Sequence, residues 1–151
     1  MDTNAAPNEP ATVAGKPKSF TRFLPVIARV LLGLVFFVFG LNGFLHFIPQ
    51  PKDAMPEGAA AFAGALVKSG YMFPMIMGTQ LLSGALLLIN RFVPLALALL
   101  APVILNILAF HAFLAPSGLG PGLVVLILEL YLAWAYRGTF RPMLAARVRP
   151  D

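Results

Sequence analysis

Apolar residues fall along this chain in four long runs separated by short polar breaks. The runs span Leu24 to Ile48, Tyr71 to Ile89, Phe92 to Leu114 and Leu119 to Tyr136. Each is close to the roughly 20 residues that an α-helix needs to cross the hydrocarbon of a bilayer. Helices are the open-ended elements that satisfy their own backbone groups there. The pattern therefore predicts an all-α chain folded as a four-helix transmembrane bundle. The breaks carry turn chemistry: PQPKDAMPEG after the first run, Asn90–Arg91 after the second, and APSG after the third. Between the first two runs, Ala59 to Ser69 is rich in small residues and too short to span. It predicts a helix lying at the outer surface, or a re-entrant cap. Tyr71, Phe73, Trp134 and Tyr136 stand near run ends, where aromatic side chains anchor a helix at the interface.

Composition sharpens this picture. The chain has 151 residues, of which 59% are hydrophobic and 11% charged. A soluble domain carries about 25% charged residues. So few polar side chains do not cover a water-facing surface. There is no cysteine, which excludes a disulfide framework, a thiol relay, an iron–sulfur cluster or a thiolate zinc site on this chain.

The net charge of +5 is distributed as membrane topology requires, not as a nucleic-acid surface. Four crossings place Lys16, Lys18, Arg22, Arg91, Arg137, Arg141, Arg147 and Arg149 on one side, and Lys52 and Lys68 on the other. The positive-inside rule then predicts cytoplasmic termini and a multi-pass membrane protein. Residues 1–21, rich in Pro, Ala and Asn, read as a disordered cytoplasmic tail. Residues 22–144 form the membrane domain, and 145–151 a basic tail. About twenty polar or neutral residues precede a first run too long for a signal peptide, so that run is expected to remain in the mature protein.

Candidate chemistry lies in the few polar residues inside the runs. Glu129 is the lone carboxylate of the fourth run. An acidic group at bilayer depth costs roughly 2.5–3.5 kcal/mol on insertion scales, so it has to be neutral, paired or hydrogen-bonded. Counted inward from the outer run ends, Glu129 lies roughly 15 Å deep, Gln80 roughly 13 Å and Asn106 roughly 12 Å. The count predicts one midplane layer in which a protonated Glu129 donates to one carboxamide and accepts from the other. Two readings of the layer stand: interhelical glue, worth roughly 0.6–2 kcal/mol per bond, or a proton site or polar pocket for a small ligand. On the second helix, Met77, Gln80, Gly84 and Leu87 share an inward face with Ser83 beside them, and Gly84 permits close helix approach. Glu129, Ala133 and Tyr136 share a face of the fourth helix.

His46 and His111 are the two histidines, at similar heights near the outer ends of their helices. A bis-histidine haem or metal site is one reading. Against it, Asn106 and His111 point about 140° apart on an ideal helix. Interfacial histidines with ordinary hydrogen bonds, and no haem, are expected. Asn42 and His46, at i and i+4, share a face and line an outward mouth. Arg29 lies inside the first run. It either snorkels to the cytoplasmic headgroups or reaches toward Glu129, where Coulomb attraction must offset the desolvation of both ions.

Arg29, Gly33, Phe36 and Gly40 make the stripe R-x-x-x-G-x-x-F-x-x-x-G within ARVLLGLVFFVFGLNGFLHF. Two further segments follow it in order: GALVKSGYMFPMIMGTQLLSGALLLINRFVPLALALLAPVILNILAFHAFLAPSG and LELYLAWAYRGTFRPML. Taken together they make the chain resemble the DoxX family of small bacterial integral membrane proteins, from about Arg22 to Leu144. The resemblance implies a four-helix inner-membrane bundle. Some relatives are membrane subunits of thiosulfate:quinone oxidoreductases, and others are linked to membrane-associated thiol and oxidative-stress systems. It implies a redox-linked accessory subunit with a quinone or an oxidoreductase as its partner. Quinone carbonyls need hydrogen-bond donors in an apolar slot, which Glu129, Gln80, Asn106 or His46 supplies. The alternatives are a proton-coupled transporter built as a small homo-oligomer, and a purely structural membrane partner. No phosphate-binding glycine loop, H-E-x-x-H or nucleophile elbow is present, so no catalytic residue is assigned.

Overall fold

The computed structural model describes residues 23–49, 55–145 and 147. The calls on the tail at 1–21, on Lys52 and on most of 145–151 lie outside these residues. The described chain is all helical. It comprises α1 (Leu24–Leu45), α2 (Glu57–Lys68), α3 (Met72–Leu88), α4 (Val93–Phe113), a 3₁₀ turn (Pro116–Gly118), α5 (Leu119–Ala135) and a short α6 (Arg137–Phe140).

Local chemistry sets the boundaries. α1 and α4 each carry a proline in their first two positions, where the missing N–H removes no intrahelical bond. α1 ends where His46 turns left-handed, at φ 52°. There the Asn42 side-chain oxygen accepts the Ile48 backbone N–H at 2.7 Å. The α2–α3 break is capped by Ser69, whose Oγ donates to the Leu66 carbonyl at 2.6 Å and accepts from the Met72 N–H at 3.0 Å. Gly70 takes the positive φ of +76° that the corner needs. The two helices meet at 90°.

Packing is closest between α1 and α3, which run antiparallel. A Cβ on Gly84 would overlap the Phe37 backbone nitrogen, and one on Gly40 would overlap the Leu81 backbone. These glycines let two backbones touch, as small residues do in membrane helix pairs. Arg29, Gly33, Phe36 and Gly40 all fall on the buried stripe of α1. α4 packs on α3 and α5, and α5 closes on α1. One end of the packed helices therefore carries Arg91, Arg137 and Arg141. The other carries α2, which lies across α4 with Ala59 fully buried and Phe62 5.9 Å from the Phe110 ring. These are called here the arginine end and the α2 end.

Leu32, Leu87, Leu97, Leu100 and Leu132 are fully buried and fill the core toward the arginine end. The outward faces are equally apolar: Leu105 is 63% exposed and Phe113 84%. Three helical stretches, Leu24–Leu45, Val93–Phe113 and Pro116–Ala135, are long and apolar enough to cross a membrane, and the bent α2–α3 pair makes a fourth candidate. An apolar exterior over an apolar core suits contact with lipid, and the chain is a multi-pass membrane protein.

Candidate functional site

The helices separate near the α2 end and leave two neighbouring clefts. The first, about 390 Å³, lies between α2, α3 and α4 and is bordered by Phe62, Pro102 and Asn106. The second, about 350 Å³, lies between α1, α3 and α5 and is bordered by Phe36, Asn42, Gly118 and Val125. They share one wall, made of Phe73, Met77 and Gln80 from α3 with Ile107 and His111 from α4. The lining is mostly apolar, with carboxamide and imidazole groups placed singly.

Gln80 is buried in that wall at the position the α3 stripe predicts. Asn42 is half-buried at the edge of the second cleft. Its oxygen is held by Ile48, which leaves its NH₂ as the group free to donate. His111 is half-buried, edge-on to the Phe110 ring at 5.2 Å. Its Nδ1 is 2.9 Å from the Ala115 carbonyl oxygen. A carbonyl only accepts, so Nδ1 carries the proton, and in the neutral ring Nε2 is left as an acceptor. The ring sits hard against Gly118, where a Cβ would overlap it. Histidine, turn carbonyl and glycine thus form a rigid corner at the mouth of both clefts.

Several expectations change. Glu129, Gln80 and Asn106 do not share one environment: Gln80 and Glu129 are buried, whereas Asn106 is exposed. Gly33 packs against Leu87 and Leu88, Gly84 against Phe37 and Gly40 against Leu81, which places Gln80 near Gly40. On α5, Gly122 packs against Leu108 and Ile107 of α4, and Phe36 and Val125 both border the second cleft. Glu129 is buried as predicted, but it lines neither cleft, and its Oε2 has no hydrogen-bond partner. Asn106 is exposed on α4 and faces the first cleft instead of the core. His46 is the exposed C-cap of α1 and borders neither cleft, because ending the helix turns it away from Asn42.

Arg29 does not snorkel. It is 7% exposed, and its Nη1 donates to the Leu87 carbonyl at the end of α3. Its charge there complements the negative end of the α3 dipole.

The His111–Ala115–Gly118 corner was missed by the sequence reading, although HAFLAPSG carries its signal. A proline-led turn directly after the helix brings a carbonyl back under the histidine four residues earlier. Phe73 and Met77 were read as an anchor and a face residue, and their place in a shared wall depends on where α1 and α4 stand.

No protein-family model, curated protein or solved structure matches the chain. Among the described residues, no three His, Cys, Asp or Glu side chains converge as metal ligands.

Proposed function

We propose that this chain is a DoxX-like protein of the bacterial inner membrane. In this reading it crosses four times as a helical bundle with cytoplasmic termini, and binds a quinone-type headgroup as the membrane subunit of a redox partner. The resemblance over Arg22 to Leu144 supports the class, and Arg91, Arg137 and Arg141 at one end of the helices support the orientation.

The observation that carries the ligand assignment is the pair of apolar clefts with Gln80 in their common wall. Each has the volume of a small-ligand site, about 300–1,000 Å³. A quinone is a flat apolar ring with two carbonyl acceptors. The Gln80 NH₂ supplies one donor to either cleft. Asn42 supplies a second in one cleft and Asn106 in the other. Openings between helices admit a lipid-soluble ligand sideways from hydrocarbon.

Equilibrium binding of a short-tailed quinone to the full chain in mild detergent tests this. Saturable binding that weakens about tenfold in Gln80→Leu, the loss of one hydrogen bond of about 1.4 kcal/mol, is expected. Absence of saturable binding to the wild type removes the reading. Co-purification of a quinone or of a partner subunit would separately establish the native assembly. Proton-coupled transport is the second reading, motivated by the buried carboxyl of Glu129. A liposome proton flux that stays flat across an imposed pH gradient would remove that one.

A further inference from the structure

Two of the polar groups around the second cleft have their hydrogen-bonding sense fixed by the backbone. The Asn42 oxygen is taken by the Ile48 N–H, so its NH₂ is the group it offers. His111 is the reverse case. Its Nδ1–H is taken by the Ala115 carbonyl, so the neutral ring offers Nε2, which only accepts. The ring has little freedom to exchange these roles. Gly118 lies against its Cε1–Nδ1 edge, and Phe110 meets it edge-on at 5.2 Å. A flipped ring would put a carbon against the Ala115 carbonyl.

Nε2 makes no hydrogen bond among the described residues. Nor is it one of the enclosed orphans there, which are Nε of Arg29, Oγ of Ser83 and Oε2 of Glu129. It is therefore reachable from the cleft that its ring borders. Apart from Asn42, Gln80 and His111, the side chains of that cleft are apolar.

An open acceptor in an apolar slot favours a ligand that brings its own hydrogen. A quinone carbonyl only accepts. It satisfies the Asn42 NH₂ and leaves Nε2 dehydrated without a partner, which is costly. A phenolic hydroxyl does both: its oxygen accepts and its hydrogen is donated.

We propose that His111 makes the cleft between α1, α3 and α5 selective for the reduced, hydroxyl-bearing form of the headgroup, a hydroquinone whose O–H donates to Nε2. This rests on the quinone-type reading above and assigns the redox form that the site prefers.

The test is equilibrium binding to the full chain in mild detergent, in anaerobic and mildly alkaline buffer. The probes are a short-tailed benzoquinone, its hydroquinone, and the dimethyl ether of that hydroquinone, which keeps both oxygens and has no O–H. The hydroquinone is expected to bind about tenfold more tightly than either, the worth of one hydrogen bond to a group otherwise left bare. In His111→Asn that advantage disappears. The asparagine NH₂ keeps a donor for the Ala115 carbonyl, and the shorter side chain has nothing where Nε2 stood. Equal binding of the three probes, or an advantage that survives in His111→Asn, overturns the proposal and leaves the quinone-type reading in place. Binding of none of them removes both. If His111→Asn does not accumulate, ¹⁵N-histidine-labelled wild type decides. The chain has two histidines, and His46 borders neither cleft and serves as the reference. The hydroquinone shifts the His111 Nε2 signal and the ether leaves it in place; the same response to both overturns the proposal.

Discussion

Toward the α2 end, Asn42, Gln80 and His111 stand beside open clefts, and two of the three are steadied by the backbone close to them: Asn42 by Ile48, His111 by Ala115. Toward the arginine end, the core is a run of fully buried leucines, and its polar groups are enclosed. The hydroxyls show the same contrast. Thr79 and Ser69 bond back to carbonyls three or four residues earlier, while Ser83, fully buried, has no partner. A polar side chain held by its own chain can border an opening without needing another helix. One that points into a closed core depends on what a different helix brings. The two halves thus differ in packing: the arginine half is closed, and the α2 half keeps two open clefts.

That division is sharpest for substitutions that should touch one half and spare the other. Gly84→Ala is expected to have the largest effect on stability. Its new methyl meets the Phe37 backbone, which has no side chain to swing aside, so the cost lies near the upper end of overpacking, about 3 kcal/mol. Thermal unfolding in detergent checks it, and a loss below 1 kcal/mol would show that α1 and α3 are not in backbone contact.

Leu100→Ala comes next, at about 2 kcal/mol, the low end of core truncation. A leucine in a membrane stays among apolar tails when helices separate, so the loss is of packing and not of transfer from water. Leu105→Ala, on the exposed face of the same helix, should change stability by under about 0.5 kcal/mol. Equal losses at the two positions would place the core elsewhere.

Gln80→Leu should leave unfolding within about 1 kcal/mol of wild type while weakening quinone binding about tenfold. A large loss of stability with binding intact would make Gln80 glue and not a ligand group. Asn42→Ala is expected to be the mildest, about 1 kcal/mol or less from the lost bond to Ile48, with α1 fraying beyond Asn42. Amide exchange at Ile48 reads it directly, and unchanged protection there would mean that the cap is dispensable.

Helix positions were legible in the sequence because each run must satisfy its backbone alone. The predicted second run, Tyr71 to Ile89, and the observed α3, Met72–Leu88, differ by one residue at each end. The third and fourth runs agree equally well with α4 and α5. Gly84 was legible as a close-approach site because a small residue on a buried stripe has few other uses. Which polar groups border one space was not. Glu129, Gln80 and Asn106 were expected to meet, yet Gln80 lines both clefts and Glu129 neither. Asn106 was expected inside and faces a cleft, because its helix is apolar all round and nothing in its pattern marks an inner face.

By itself, then, the sequence determined that the chain is helical, apolar enough for a membrane, and charged at the ends of its runs. These follow from backbone hydrogen bonding and hydrocarbon thickness, which act on each segment separately. Tertiary structure alone decided which polar groups meet. That depends on the offset and rotation of one helix against another, set here by glycine contacts between α1 and α3 and by the corner at His111. No single segment encodes an offset, because it is a property of two surfaces in contact.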